Sequence, residues 1–207
     1  MIVLTRRLVQ ALLLSVALLA PPVSAHADPK DDGKAIVQRM ADQVVVILSN
    51  QGLDRASKEA RFRQILKQNF DVPTIGAWVL GSPWRDAPAA QRAEYLRLFE
   101  SYIVKVYTGQ LATYSGEKVT VLGADSDGGG VEVTSRIVDP KNARTIEVKW
   151  RLRQSGAQLK VRDVLIENIS MSQTQRREFA AVFQQRGGTL VGLIEALKEK
   201  IAELDRK

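Results

Sequence analysis

The chain has 207 residues, 30 basic against 23 acidic, a formal net charge of +7, one histidine and no cysteine. The missing cysteine excludes disulfides, thiol nucleophiles, CxxC redox pairs and cysteine zinc sites. A basic balance is compatible with nucleic acid, an anionic membrane surface or acidic partners.

An export signal is predicted over residues 1–27. Arg6 and Arg7 form a positive n-region, Leu8 to Ala20 is apolar apart from Gln10 and Ser15, and Pro21-Pro22 precedes Ala25-His26-Ala27, a small-residue cleavage site. The apolar run falls short of the ~20 residues that span a bilayer, so a cleaved signal is favoured over an anchor. No cysteine follows to carry a lipid. The Arg6-Arg7 pair leaves both Sec and twin-arginine export open. Cleavage after Ala27 would remove His26, the only histidine. The mature chain, residues 28–207, is expected to fold as one domain and to work outside the cytoplasm. Without histidine, Ser-His triads and histidine zinc sites are also excluded.

Residues 28–34 are polar and read as loose. From Ile36 the apolar positions Met40, Val44 and Ile47 continue at helical spacing up to Asn50-Gln51-Gly52. Phe62, Ile65, Leu66 and Phe70 mark a second helix. It also carries the densest basic cluster, Arg55, Lys58, Arg61, Arg63 and Lys67, which reads as a solvated face. No aromatics alternate with these charges as a nucleic-acid groove requires. Asp71-Val72-Pro73 starts a short helix that Gly81 closes. A longer helix is predicted from Asp86-Ala87-Pro88, with Asp86 capping, to about Tyr114; its inner stripe is Tyr95, Leu98, Phe99, Tyr102 and Val106.

At Ser115-Gly116 the period changes from 3.6 to 2. Four strands follow, centred on Val119 and Val121, on Val131 to Ile137, on Ile146 to Leu152, and on Leu159 to Ile166, with a phase slip near Asp163 that predicts a bulge. Short turn-rich links make neighbours antiparallel. Ser172 with Gln175 resembles a capping box, opening a helix that ends at Gly187-Gly188; Thr189 caps the last helix. The expected fold is α+β: a four-stranded antiparallel curved sheet with several helices packed on its apolar face.

Carboxylate pairs are the remaining acid-base tools. Asp163 and Glu167 are one such pair, but a surface acid pair beside Arg162 is the favoured reading. Asp125 and Asp127 beside three glycines suggest calcium or a hairpin turn, and the further oxygen ligands are missing. There is no phosphate loop and no GxSxG motif. The pattern argues for binding over catalysis, with no cofactor and no metal.

Several segments together resemble the MlaC family of periplasmic phospholipid-binding proteins, also called the toluene-tolerance family. They are Val79-Leu80-Gly81 leading to Trp84-Arg85-Asp86-Ala87, Gln91-Arg92 ahead of Phe99, Tyr107, Leu111, Tyr114-Ser115-Gly116-Glu117, Val161-Arg162-Asp163-Val164 and Ile169-Ser170-Met171. The likeness spans essentially all of residues 28–207.

The resemblance implies a non-enzymatic carrier that shuttles phospholipid between outer and inner membranes and maintains outer-membrane lipid asymmetry. Its acyl tails would lie in a cavity between sheet and helices. Its partners would be an inner-membrane lipid ABC transporter with a substrate-handling ring subunit and an outer-membrane lipoprotein-porin complex. The tail-lining candidates so implied are Ile75, Val79, Phe99, Tyr102, Val106, Val133, Val148, Trp150, Val164 and Met171, although ordinary core packing uses the same residue types. Trp84 and Arg85 read as a lock between helices. Ile166-Glu167-Asn168-Ile169 departs from the smaller, glycine-containing stretch of the family, which leaves a hopanoid or other polycyclic lipid as an alternative ligand. A small envelope acid/base enzyme and a non-lipid adaptor are the readings from other classes.

Overall fold

The computed structural model describes residues 28–111, 116–141 and 144–206, so the predicted signal and Tyr114 lie outside the described residues. Helices α1 (Pro29–Ser49), α2 (Arg55–Asn69), α3 (Val72–Leu80), α4 (Pro83–Asp86) and α5 (Ala89–Leu111) come first. Strands β1 (Lys118–Asp127), β2 (Gly130–Val138), β3 (Thr145–Ser155), β4 (Gln158–Ile166) and β5 (Ile169–Ser170) follow, and then α6 (Met171–Gln185) and α7 (Leu190–Asp205). The sheet is an open antiparallel meander in the order β1-β2-β3-β4-β5.

The α+β class stands, but the sheet has five strands, not four. Glu167 and Asn168 both take positive φ, 49° and 64°, and form a two-residue turn that folds Ile169 back onto Ile166. Asparagine tolerates this backbone and a glutamate does so only rarely, so no turn signal marked the hairpin. The predicted bulge is present one residue away: Arg151 pairs with Asp163 and Leu152 with Val161, leaving Arg162 as the extra residue. A second bulge falls at Leu122, between the pairs Val121–Ser135 and Gly123–Thr134.

Helix ends account for the other differences. Residues 28–34 are not loose, because Asp28 accepts from the Lys30 amide and Pro29 sits in the first turn, so α1 starts seven residues before Ile36. Asp54 caps α2 by accepting from the Ser57 amide. Asp86 ends the four-residue α4 instead of capping α5, whose first turn closes from the Pro88 carbonyl to the Arg92 amide. Ser170, not Ser172, caps α6, with its hydroxyl accepting from the Gln173 amide. Asp71, Gly81 and Thr189 hold their predicted places.

Two cores result. Tyr95, Leu98, Phe99 and Val104 of α5 pack with Phe179 of α6 and with Leu190, Leu193, Ile194 and Leu197 of α7. Val131, Val133, Leu152 and Val161 on the sheet pack against Val37 of α1. Phe70 touches both cores and a third cluster, of Met40, Ile47 and Ile65, and bridges to Val161, while the Asp71 amide donates to the Val161 carbonyl at 3.0 Å, so the start of α3 is tied to β4.

Candidate functional site

Between the sheet and the helices lies a pocket of about 510 Å³. Its sheet wall is Val119, Ile137, Val148, Trp150, Val164 and Ile166, the inward alternates of β1 to β4. Its helical wall comes from Met40, Val44 and Leu48 of α1, Phe62 and Ile65 of α2, Ile75 and Val79 of α3, Phe99 and Ile103 of α5, and Met171 of α6.

The N-terminal half of α1 sits close on the strands, where a Cβ at Gly33 would stand 3.1 Å from Val131 Cγ1. Further along α1, Met40 and Ile47 are buried with Ile65, but Val44 and Trp150 are only half-buried. There the space between helix and sheet is left open.

The Trp150 ring is held in this wall by a relay of hydrogen bonds. Its Nε1 donates to Ser135 Oγ at 2.8 Å, and that hydroxyl donates to the Val148 carbonyl at 3.2 Å. Ser135 is fully buried, so this pairing offsets what an orphan hydroxyl would cost. Polar side chains interrupt the wall at Tyr107, Gln110, Glu117, Arg162, Asp163, Ser172 and Gln175. Burial, with added repulsion from Glu178 and Asp163, pushes the Tyr107 phenol above its ordinary value, so it stays neutral at neutral pH.

The ten sequence candidates divide. Ile75, Val79, Phe99, Val148, Trp150, Val164 and Met171 are brought together in the pocket wall. Val133 is fully buried in the sheet core with Val37. Tyr102 packs edge-on against Phe179, centroids 5.7 Å apart. Val106 is half-buried on α5 and does not line the pocket. The contributions of α1 and α2 were missed. The run Val44-Val45-Val46-Ile47-Leu48 is wider than one helical stripe needs, and that excess was the available signal.

Several of the other singled-out residues have structural partners. Asp163 accepts from Ser170 Oγ at 2.7 Å and from the Ser172 amide at 3.1 Å, while Glu167 accepts from the Glu147 amide at 2.7 Å, so the two acids serve separate joints. Asp127 pairs with Arg153 at 2.7 Å. In the basic cluster, Arg63 pairs with Glu100 and Arg55 with Glu59. Trp84 meets the Tyr95 ring edge-on at 6.4 Å and carries Arg92 over its face at 5.5 Å, joining α4 to α5; Arg85 is exposed. Among the described residues, no helix is long and apolar enough to cross a membrane.

The family described as MlaC protein matches residues 38–199. The chain belongs to the MlaC family. A relative from Haemophilus influenzae, the intermembrane phospholipid transport system binding protein MlaC, is 22% identical over 185 residues, 84% of this chain and 86% of its own length. The toluene tolerance protein ttg2D of Pseudomonas putida is 25% identical over 119 residues. That match spans 58% of this chain and only 55% of the relative. A phospholipid-binding protein from Ralstonia solanacearum, solved in complex with a phospholipid, superposes with a TM-score of 0.71 at 25% identity, covering 84% of this chain and 99% of that one.

Proposed function

We propose that this MlaC-family chain is a periplasmic carrier that takes phospholipid through the aqueous space between the outer and inner membranes. The observation that carries the reading is the apolar pocket of about 510 Å³ between sheet and helices, within the ~300–1,000 Å³ usual for ligand sites. Each methylene moved from water into such a wall is worth ~0.8 kcal/mol, so a two-tailed lipid crosses water only inside an apolar container. The container needs no catalytic group. Of the two carboxylates that line it, Glu117 and Asp163, Asp163 accepts from the Ser172 amide in the first turn of α6. The N-terminal segment, with cleavage after Ala27, would give the periplasmic address. An inner-membrane lipid ABC transporter with its ring subunit and an outer-membrane lipoprotein-porin complex are the partners that would unload and load it.

Organic extraction of the purified protein followed by mass spectrometry tests the reading. Glycerophospholipid should be recovered near one molecule per chain. A protein recovered empty after expression in a Gram-negative envelope would overturn it, and a polycyclic lipid in place of phospholipid would correct the cargo.

A further inference from the structure

Beside the apolar pocket is a second recess of about 320 Å³, walled by Thr74, Ile75 and Trp78 of α3, Arg151 and Arg153 of β3, Arg162 and Asp163 of β4, and Ser172 and Gln173 of α6. Ile75, Arg162, Asp163 and Ser172 line both spaces, so the two adjoin at these four side chains. Their chemistry differs sharply. The first is almost wholly aliphatic and aromatic, whereas the second sets three arginines against one carboxylate, and that carboxylate is occupied by the Ser170 hydroxyl and the Ser172 amide. We propose that the recess takes the phosphodiester of the lipid whose tails fill the apolar pocket, an inference that rests on the carrier reading above.

The arginines are held in place from behind. Arg162 grips Asp71 Oδ2 through Nε at 3.1 Å and Nη2 at 3.0 Å. Arg153 donates through Nη2 to Asp127 at 2.7 Å and through Nη1 to the Leu152 carbonyl at 2.9 Å. Arg151 donates through Nε to Glu132 at 2.9 Å. None of those three carboxylates lines the recess. A guanidinium has five N–H donors, and these contacts use only part of each set, so the planes are fixed while donors remain. Fixed guanidinium groups suit the paired oxygens of a phosphodiester better than mobile ammonium groups do.

An independent observation points to the same junction. Gln175, one turn along α6 from Ser172, lines the apolar pocket, and its buried Oε1 has no hydrogen-bond partner among the described residues. A buried acceptor left unpaired is costly. A hydroxyl or ammonium donor of a bound lipid that reached this part of the wall would pair it.

The test uses the protein purified after expression of the full chain, stripped of endogenous lipid and offered defined lipids, with binding read by native mass spectrometry. Phosphatidylglycerol should bind at least about ten-fold more tightly than diacylglycerol of the same tails, as charge-assisted hydrogen bonds imply. In the Arg151→Gln/Arg153→Gln double variant, whose residues line only the recess, that ratio should fall toward one, and Arg162→Gln should act in the same direction. If Arg162→Gln fails to fold by circular dichroism, the double variant decides.

Equal binding of the two lipids by the wild type would overturn the recess proposal and leave the carrier reading standing, whereas binding of neither would overturn the carrier reading and the recess with it. Glycerol phosphate should not displace phosphatidylglycerol. If it does so at comparable concentration, the recess is a site for soluble phosphate and the lipid assignment fails.

Discussion

The two faces of α5 show how one chain builds a sealed core and an open wall from the same residue types. On one face Tyr95, Phe99 and Phe179 interlock, with centroids 5.7 to 6.3 Å apart, and a Cβ at Gly76 would stand 2.7 Å from Leu96 Cδ2. The Tyr95 hydroxyl donates to the Gly76 carbonyl at 3.0 Å, and burial pushes its phenol far above its ordinary value. On the other face Phe99 and Ile103 look onto the pocket of about 510 Å³. Phe99 is the partition, 2% exposed and part of both. What separates the two sides is whether a second layer closes on the first: α7 and α6 do so on the aromatic side, and the C-terminal half of α1 does not on the sheet side. Apolar residues are thus necessary for both a core and a container, and the distance between layers decides which forms.

Substitutions on the sealed side carry the largest expected effect. Phe179→Ala should cost about 3–5 kcal/mol, read as a fall in the urea midpoint, because its neighbours cannot collapse into the hole. A loss below ~1 kcal/mol would show that this side is as loosely filled as the pocket. On the open side the wall depends on a polar anchor. Ser135→Ala removes the acceptor of Trp150 Nε1 and should cost about 1–3 kcal/mol with a shift in tryptophan emission. An unchanged emission spectrum would mean that packing alone holds the ring.

The joint between the two regions should respond to acid. Burial opposes ionisation of Asp71, but its hydrogen bonds from Thr74 and the Arg162 guanidinium outweigh that and hold its carboxyl below the usual value. A depressed folded pKa means that the contribution is complete above the unfolded value, about 3.9, and is lost as pH falls through the lower folded value. Urea midpoints taken from about pH 6 downward should therefore drop in that window, and Asp71→Asn should flatten the drop at the cost of lower stability at neutral pH. An identical slope in both proteins would show that the Asp71–Arg162 pair is not part of the joint.

Much of this was legible in the sequence because period and punctuation agreed. The change from 3.6 to 2 near Gly116 located the helix-to-sheet switch, and Asp71, Gly81 and Thr189 marked helix ends by their chemistry. The bulge announced itself as a phase slip, since Arg162 has no register partner on β3. The β4–β5 hairpin did not, because its turn is Glu167-Asn168 where a glycine would have signalled it. The helical residues 29–34 were hidden by their polarity, which reports exposure and not conformation. Within the site, the residue types of the wall could be read but not which of them face empty space: Val133 and Val148 alternate identically on neighbouring strands, yet Val133 meets α1 and Val148 meets the pocket. That depends on where α1 lies over the sheet, a tertiary fact with no local pattern.

The smallest expected change in stability discriminates the two regions best. Val44 is half-buried on α1 and lines the pocket, so Val44→Phe adds a ring where room exists. In a close-packed core such an enlargement costs ~1–3 kcal/mol; here the urea midpoint should move by less than ~1 kcal/mol in either direction. The lipid recovered on extraction should nevertheless fall several-fold, because the added ring takes space that acyl chain would fill. A large loss of stability would show that α1 already closes on the sheet and that the open wall is core. Unchanged lipid recovery in a stable variant would move the tails away from α1, toward Phe99 and Ile103 on the α5 side.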